Sequence, residues 1–430
     1  MMSELAHGDP KRITGLDERP ALRGLEAIPF VQDGRTAILL RDPLQIGTRA
    51  VAVSPDFYWL MLLLDGTRTI AELQDEFSRR AGQPFQKNQL ITLLRQLDDL
   101  LFLDGDRFRR RKARALRDFR AQTVRLAVHA GVSYPERPDE VGQLLSSMYV
   151  HPDGAGLAGP PKSREVKALI APHIDLRLGG PTYTYAYRFL RESILPERFV
   201  ILGIGHMGLP QFFSIARKDF QTPLGTAPCD RDYIEELEKA LGRDTFGEDL
   251  IHRTEHSIEF QVLFLQHVYE DRKFSIVPVL TSFSYSDLQG RPEISDLQGR
   301  PESDMQIRTL IDALHQAEQN CPKRTCYIAG VDLAHLGPRY GDDRAPDASA
   351  VSETMAQDRI LLETVINGDS ERFLSCIGAE HNRRQVCGFS AIYTLLRLFP
   401  GMRGQMLAQS YCRIDETGSV VTYASLAFTA

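Results

Sequence analysis

The sequence predicts an α/β fold, a central mixed or parallel sheet flanked by helices, behind a small α+β module. From about residue 125 onward strand-like runs alternate with helical periodicity, the order that builds such sheets. The runs VKALIAPH (166–173), FVILGIGH (199–206) and CYIAGVDLAH (326–335) lack polar alternation, as strands covered on both faces do. Each ends at a histidine: His173, His206 and His335. Open α/β sheets bind ligands beyond the carboxyl ends of their strands, so three imidazoles at three strand ends point to one site.

The 430 residues leave room for two domains. With 43% apolar and 25% charged residues, the chain reads as an ordinary globular protein, and its formal net charge of −6 gives no general reason to expect nucleic-acid binding. The longest apolar run, Phe57–Leu64, is too short to span a bilayer. MMSELAHGDPKR at the start has no signal-peptide core, so the cytoplasm is the expected location and no membrane is expected as a partner. Six cysteines (229, 321, 326, 376, 387 and 412) show no CxxC pairing, which argues for reduced thiols.

In chain order, residues 1–21 are polar, broken by Gly and Pro, and read as a disordered tail. IPFVQDGRTAILLRDP has two apolar runs around Asp33-Gly34, a hairpin signal. Ser54-Pro55 starts a helix running to Leu64. Thr69 caps a second, to Arg80, with Ile70, Leu73 and Phe77 on one face. Lys87–Leu101 forms a third along Leu90, Leu93, Leu94, Leu97 and Leu101, and FLDGDRF suggests a small wing. A hairpin, three short helices and a wing over residues 22–106 make a winged-helix binding module.

Eight of the fourteen residues from Arg107 to Arg120 are basic. They suit either a patch for nucleic acid or an acidic partner, or a solvated linker helix, and residues 107–124 read as the linker because the surroundings are not basic. Beyond it, strands at ALIAPH, FVILGIGH, FSIVPVL, CYIAGVDL and GSVVTYASLAFTA alternate with helices, including one opening near Glu255. SDLQGRPE occurs twice, at Ser286–Glu293 and Ser295–Glu302, a duplicated surface loop too short for a repeat architecture.

Around the strand-end histidines stand further candidates. Glu255 and Glu259, with His256 between them, are expected to share a face of a helix N-terminus and line the pocket. Asp332 and His335, three apart, form a possible acid/base pair in which the carboxylate fixes the imidazole. Cys387 lies just before a helix starting at Gly388, where the helix dipole is expected to favour thiolate. A thiolate with two imidazoles suits iron, copper or zinc and leaves positions open. Taken singly, each of these residues is equally at home as a hydrogen-bonded or buried structural residue.

The motifs APH (171–173), ILGIGH (201–206), EHSIEFQVLFLQ (255–266), IVPVL (276–280), VDLAH (331–335) and CGFSAI (387–392) resemble, in order, the Memo family over residues 125–430. In bacteria and archaea this is the AmmeMemoRadiSam system protein B group. The resemblance implies association with a radical-SAM protein and an AMMECR-type protein. It also implies structural similarity to class III extradiol dioxygenases, non-haem iron enzymes. It implies metal ligation by His173, His206 and Cys387, with iron(II) as cofactor and copper or zinc as alternatives, and an acid/base pair at Asp332 and His335. His256 and Glu255 would support the pocket. Cys387 replaces the carboxylate of the extradiol enzymes, and Asp175 departs from the family's first motif, where it is expected to reshape the pocket or add a ligand. Residues 22–106 resemble PqqD-like domains, which bind precursor peptides. The expected function is that of a metal-dependent, dioxygenase-like oxidoreductase acting on a peptide or small molecule. A non-catalytic metal- or peptide-binding protein and a metal-free Cys/His hydrolase are the alternatives.

Overall fold

The computed structural model describes residues 16–32, 35–47, 50–209, 211–242, 249–288 and 302–430. Residues 1–15 of the expected tail, the Asp33-Gly34 turn and most of the SDLQGRPE duplication lie outside the described residues. Two compact units divide the chain, Met1–Ala121 and Gln122–Ala430.

In the first unit, β1 (Glu26–Gln32) and β2 (Arg35–Arg41) form the expected hairpin, with Gln32 opposite Arg35, and β3 (Val51–Val53) adds to β2. Helix α1 (Pro55–Met61) is capped by Ser54, and α2 (Ile70–Ala81) by a reciprocal Thr69–Glu72 capping box. With α3 (Lys87–Asp99) they bury Leu40, Met61, Leu73, Phe77, Leu90 and Leu94 in one core. Leu16, within the segment expected as a tail, is also buried in that core. The FLDGDRF stretch forms no second hairpin among the described residues: Leu103 makes a single bridge to Leu22. The chain then enters α4 (Asp106–Ala121). That basic helix carries its own counter-charges, Arg110 against Asp106 and Arg114 against Asp118, as a solvated helix does.

The second unit opens with β4 (Val124–Arg125) and α5 (Pro138–Val150). Then come β5 (Val166–Ala171), α6 (Leu176–Arg191), β6 (Arg198–Ile204), β7 (Phe213–Ile215), β8 (Asp219–Thr222), β9 (Gly225–Ala227) and α7 (Arg231–Leu241). Next are α8 (Glu259–Tyr269), β10 (Ser275–Thr281), α9 (Tyr285–Leu288), α10 (Glu302–Asn320), β11 (Thr325–Gly330) and β12 (His335–Leu336). The last elements are α11 (Ala348–Ile366), α12 (Ser370–Ala379), α13 (Phe389–Leu398), β13 (Gly404–Arg413) and β14 (Val420–Thr429).

The principal sheet runs β12-β14-β5-β11-β6-β10-β7, with β13 paired to β14. Its centre, β5-β11-β6-β10, is parallel, and the flanking strands are antiparallel. Every residue of β6 is buried, which is why the strand shows no polar alternation. The parallel order β5-β11-β6 brings the ends of these three strands side by side. Among the described residues no helix is long and apolar enough to cross a membrane.

Candidate metal centre

The chain leaves β5 at Ala171, β6 at Ile204 and β11 at Gly330, and each departs through a chemistry-bearing residue two positions on: His173, His206 and Asp332. The rings of His173 and His206 meet with centroids 4.9 Å apart. A third ring joins them: His256 lies 5.2 Å from His173 and stacks 4.9 Å from His206. One ring nitrogen from each of the three lies within 4.8 Å of the others. Metal–nitrogen bonds of about 2 Å hold ligand nitrogens roughly 3–3.5 Å apart, so small ring rotations would close this set on a cation.

The tautomers suit that role. His173 donates Nδ1–H to Gly330 O at 2.8 Å. His206 and His256 direct Nδ1 to the two oxygens of Glu255, at 3.0 and 3.1 Å. A carbonyl and a carboxylate accept only, so in the neutral form of each ring the lone pair falls on Nε2, the arrangement that orients metal-bound imidazoles. His173 is buried, and burial holds it far below the ordinary histidine range, so it is neutral near pH 7. Burial alone would raise the Glu255 carboxyl, but the charges and hydrogen bonds of His206 and His256 hold it well below its usual range. Half-exposed His206 marks the side open to solvent.

Glu255 and Glu259 do not share a helix face, contrary to the sequence expectation. The Glu255 carboxylate accepts the backbone N–H groups of His256 (2.8 Å) and Ser257 (3.0 Å), so these groups are satisfied outside a helix and α8 opens only at Glu259. Glu259 turns away to Arg125, with which it forms a fully buried ion pair.

Asp332 and His335 do not pair either. The chain between them runs extended beside β14, Leu333 N–H donating to Thr422 O and Thr422 N–H to Ala334 O; in such a chain residues three apart point to opposite sides. Asp332 instead accepts the backbone N–H groups of His173 and Ile174, at 3.0 and 3.1 Å, and its other oxygen lies 3.6 Å from His173 Nε2. Burial pushes its carboxyl up to about 7 against those two hydrogen bonds. His335 is fixed by backbone carbonyls, its Nδ1 lying 2.9 Å from Leu333 O and 3.1 Å from Gln385 O. Burial lowers it to about 4, leaving a neutral ring with its lone pair on Nε2.

Cys387 does reach the cluster, its Sγ lying 3.5 Å from His173 Nε2 and 3.6 Å from Asp332 O. Gly388 is the N-cap of α13, as the sequence suggests. The thiol is nevertheless not predisposed to ionise: burial, then the charge of Asp332, pushes it well above the usual cysteine range. The start of α13 does not bring the thiol down, and a cation at the site would act against the burial and the carboxylate. Asp175 adds no ligand: it caps α6 and is forked by Arg177 at 2.9 and 2.7 Å.

Three residues that shape the site are not legible as such in the sequence. Gly203 and Gly330 let the 255–258 segment lie directly on the sheet; a Cβ at Gly330 would come within 2.7 Å of Ser257 O. Gln261, fully buried, donates to Pro172 O at 2.7 Å and so ties α8 to the turn bearing His173. A groove of about 270 Å³ lined by Met148, Leu176, Thr182, Tyr411 and Tyr423 shares no residue with the cluster.

Residues 125–292 and 299–427 match the family described as Memo-like protein. A MEMO1 family protein of Aquifex aeolicus is 26% identical over 413 residues, spanning 95% of this chain and 100% of the relative. One from Thermus thermophilus is 27% identical over 342 residues, spanning 79% and 93%. One from Desulfurococcus amylolyticus is 26% identical over 315 residues, spanning 71% of this chain and 98% of its own length. With an α/β unit whose strand ends gather these imidazoles, and a family match over most of its length, the chain belongs to the Memo-like family.

Proposed function

We propose that this protein is a metal-dependent oxidoreductase of the dioxygenase-like kind, its ion held by His173 and His206 with Cys387 or His256 as third donor. The observation that carries the reading is the set of three converging imidazoles with every Nδ1 committed to an acceptor. Iron(II) suits a mixed imidazole and thiolate set, and copper or zinc would also fit it. When bound, such an ion supplies open coordination positions at which dioxygen and a substrate meet. The chain's own residues do the rest. Glu255 fixes two imidazoles at once, Asp332 holds the turn carrying His173, and His335, neutral with Nε2 as base, takes up a proton from a substrate at the rim. Asp332, placed against His173, acts by positioning.

The first unit fits a docking role, as a PqqD-like module that presents a peptide or meets a radical-SAM partner and an AMMECR-type protein in the cytoplasm. A non-catalytic binding protein using the same donors is the second reading, supported by a donor set that serves binding as well as chemistry. A hydrolase built on Cys387 has less support, since the imidazole beside its Sγ is His173 and not His335.

Elemental analysis of anaerobically purified full-length protein tests this. Near-stoichiometric metal is expected, lost in His173→Ala, and the comparison of Cys387→Ala with His256→Ala identifies the third donor. Oxygen uptake with candidate substrates then separates enzyme from binder. An absence of metal after anaerobic reconstitution with ferrous iron would sink the metal reading.

A further inference from the structure

Three residues at the start of the second unit, Arg125, His129 and Tyr134, have no part in the chemistry above, nor has Glu259 at the start of α8, yet the four converge on the segment that carries Glu255 and His256. Arg125 is fully buried, as is its ion-pair partner Glu259. Its remaining donors go to backbone: Nε to His252 O at 3.0 Å and a terminal nitrogen to Glu255 O at 2.7 Å. Glu259 in turn accepts the N–H groups of Val128 (3.3 Å) and His129 (3.1 Å) and the hydroxyl of Tyr134. His129 donates Nε2–H to Thr254 O at 3.0 Å, and its ring packs edge-on against His256 with centroids 5.7 Å apart.

A buried ion pair is a poor source of net stability, because desolvation offsets its attraction. Here its geometry serves a different purpose. The planar guanidinium forks across two carbonyls flanking the loop, which a lysine cannot reproduce. Carbonyl contacts at His252, Thr254 and Glu255 leave the loop little freedom to turn His256 out of the cluster.

We infer that Arg125, Glu259, Tyr134 and His129 form a clamp that positions His256 and the Glu255 carboxylate, and thereby sets the affinity of the site for divalent ions that prefer nitrogen donors. The inference rests on the metal reading proposed above. These are positioning residues: they touch the loop and not the ion. Loosening the clamp should remove His256 from the donor set while His173 and Cys387, held by β5, β11 and α13, stay in place.

The test measures zinc(II) affinity of the full-length protein by competition with a chromophoric chelator, for wild type, Arg125→Lys, His256→Ala and the double variant. Folding of each is followed by circular dichroism. Arg125→Lys should weaken zinc binding about 10- to 100-fold, the usual effect of losing a group that orients a ligand. In the His256→Ala background the same change should cost clearly less, because one of the two imidazoles it orients is gone and only the hold of Glu255 on His206 is left to lose. Asp230→Asn, which removes the charge from a different buried ion pair, controls for general destabilisation and should leave zinc affinity unchanged. Equal losses from Arg125→Lys in both backgrounds, or none in either, would overturn the clamp while leaving the metal site standing. Failure of the wild type to bind zinc at all would bring down the metal reading and the clamp with it.

Discussion

Three buried carboxylates in the second unit show how neighbours decide what a charge does. Glu255 is stabilised as an anion by two imidazoles, and Asp332 is pushed up to about 7 because burial outweighs its two backbone donors. Asp230 has two cations: Arg198 and Lys323 each donate to Oδ2 at 2.8 Å, and Oδ1 caps α7. Burial would raise it, but Lys323 and Arg198 hold it down, from 3.8 to about 2. A depressed folded-state value stabilises the fold above the unfolded value and loses that contribution as pH falls toward the folded one. Discounted for the solvent-exposed Lys323, the charge contributes about 1–2 kcal/mol near neutrality. Asn keeps the helix cap but turns an amide donor toward Arg198 and Lys323 where Oδ2 accepted, so urea unfolding of Asp230→Asn at pH 7 should show a loss of at least that size, shrinking below about pH 4. A gap that stays constant down to pH 3 would count against this assignment.

At the scale of elements, the central strands were legible because burial on both faces removes polar alternation, and the capped helices because Ser54 and Thr69 announce them. The short strands β7 to β9 and the long strand β13 were not, since GQMLAQSYCR carries neither the apolar run of a buried strand nor a clean alternation. At the site, His173, His206 and Cys387 could be named from strand and helix ends, and His173 lies beside each of the other two. The part played by His256 could not. It enters from a segment whose path depends on Gly203 and Gly330, and close approach of two backbones leaves no periodic trace. Gly330→Ala would drive a methyl group into Ser257 O. It should cost about 1–3 kcal/mol by urea denaturation and lower metal content together with stability. Unchanged stability would show that the segment yields freely.

For the whole molecule, the two units have separate cores, and one relative accounts for 98% of its own length with 71% of this chain. The second unit should therefore fold alone. Residues 122–430 expressed separately are expected to give a cooperative thermal transition and the metal content of the full chain; a molten, metal-free product would show that the first unit is required for folding. Cys387 and His173 stand 214 residues apart in sequence, and none of the six cysteines is bridged. An ion shared by these donors would act as the cross-link that this reduced chain otherwise lacks, closing a long loop that costs the unfolded state entropy. Supplying or stripping the ion would then shift the melting temperature as strongly as it shifts any chemistry: at a hundredfold excess over its dissociation constant, by the equivalent of about 2.7 kcal/mol.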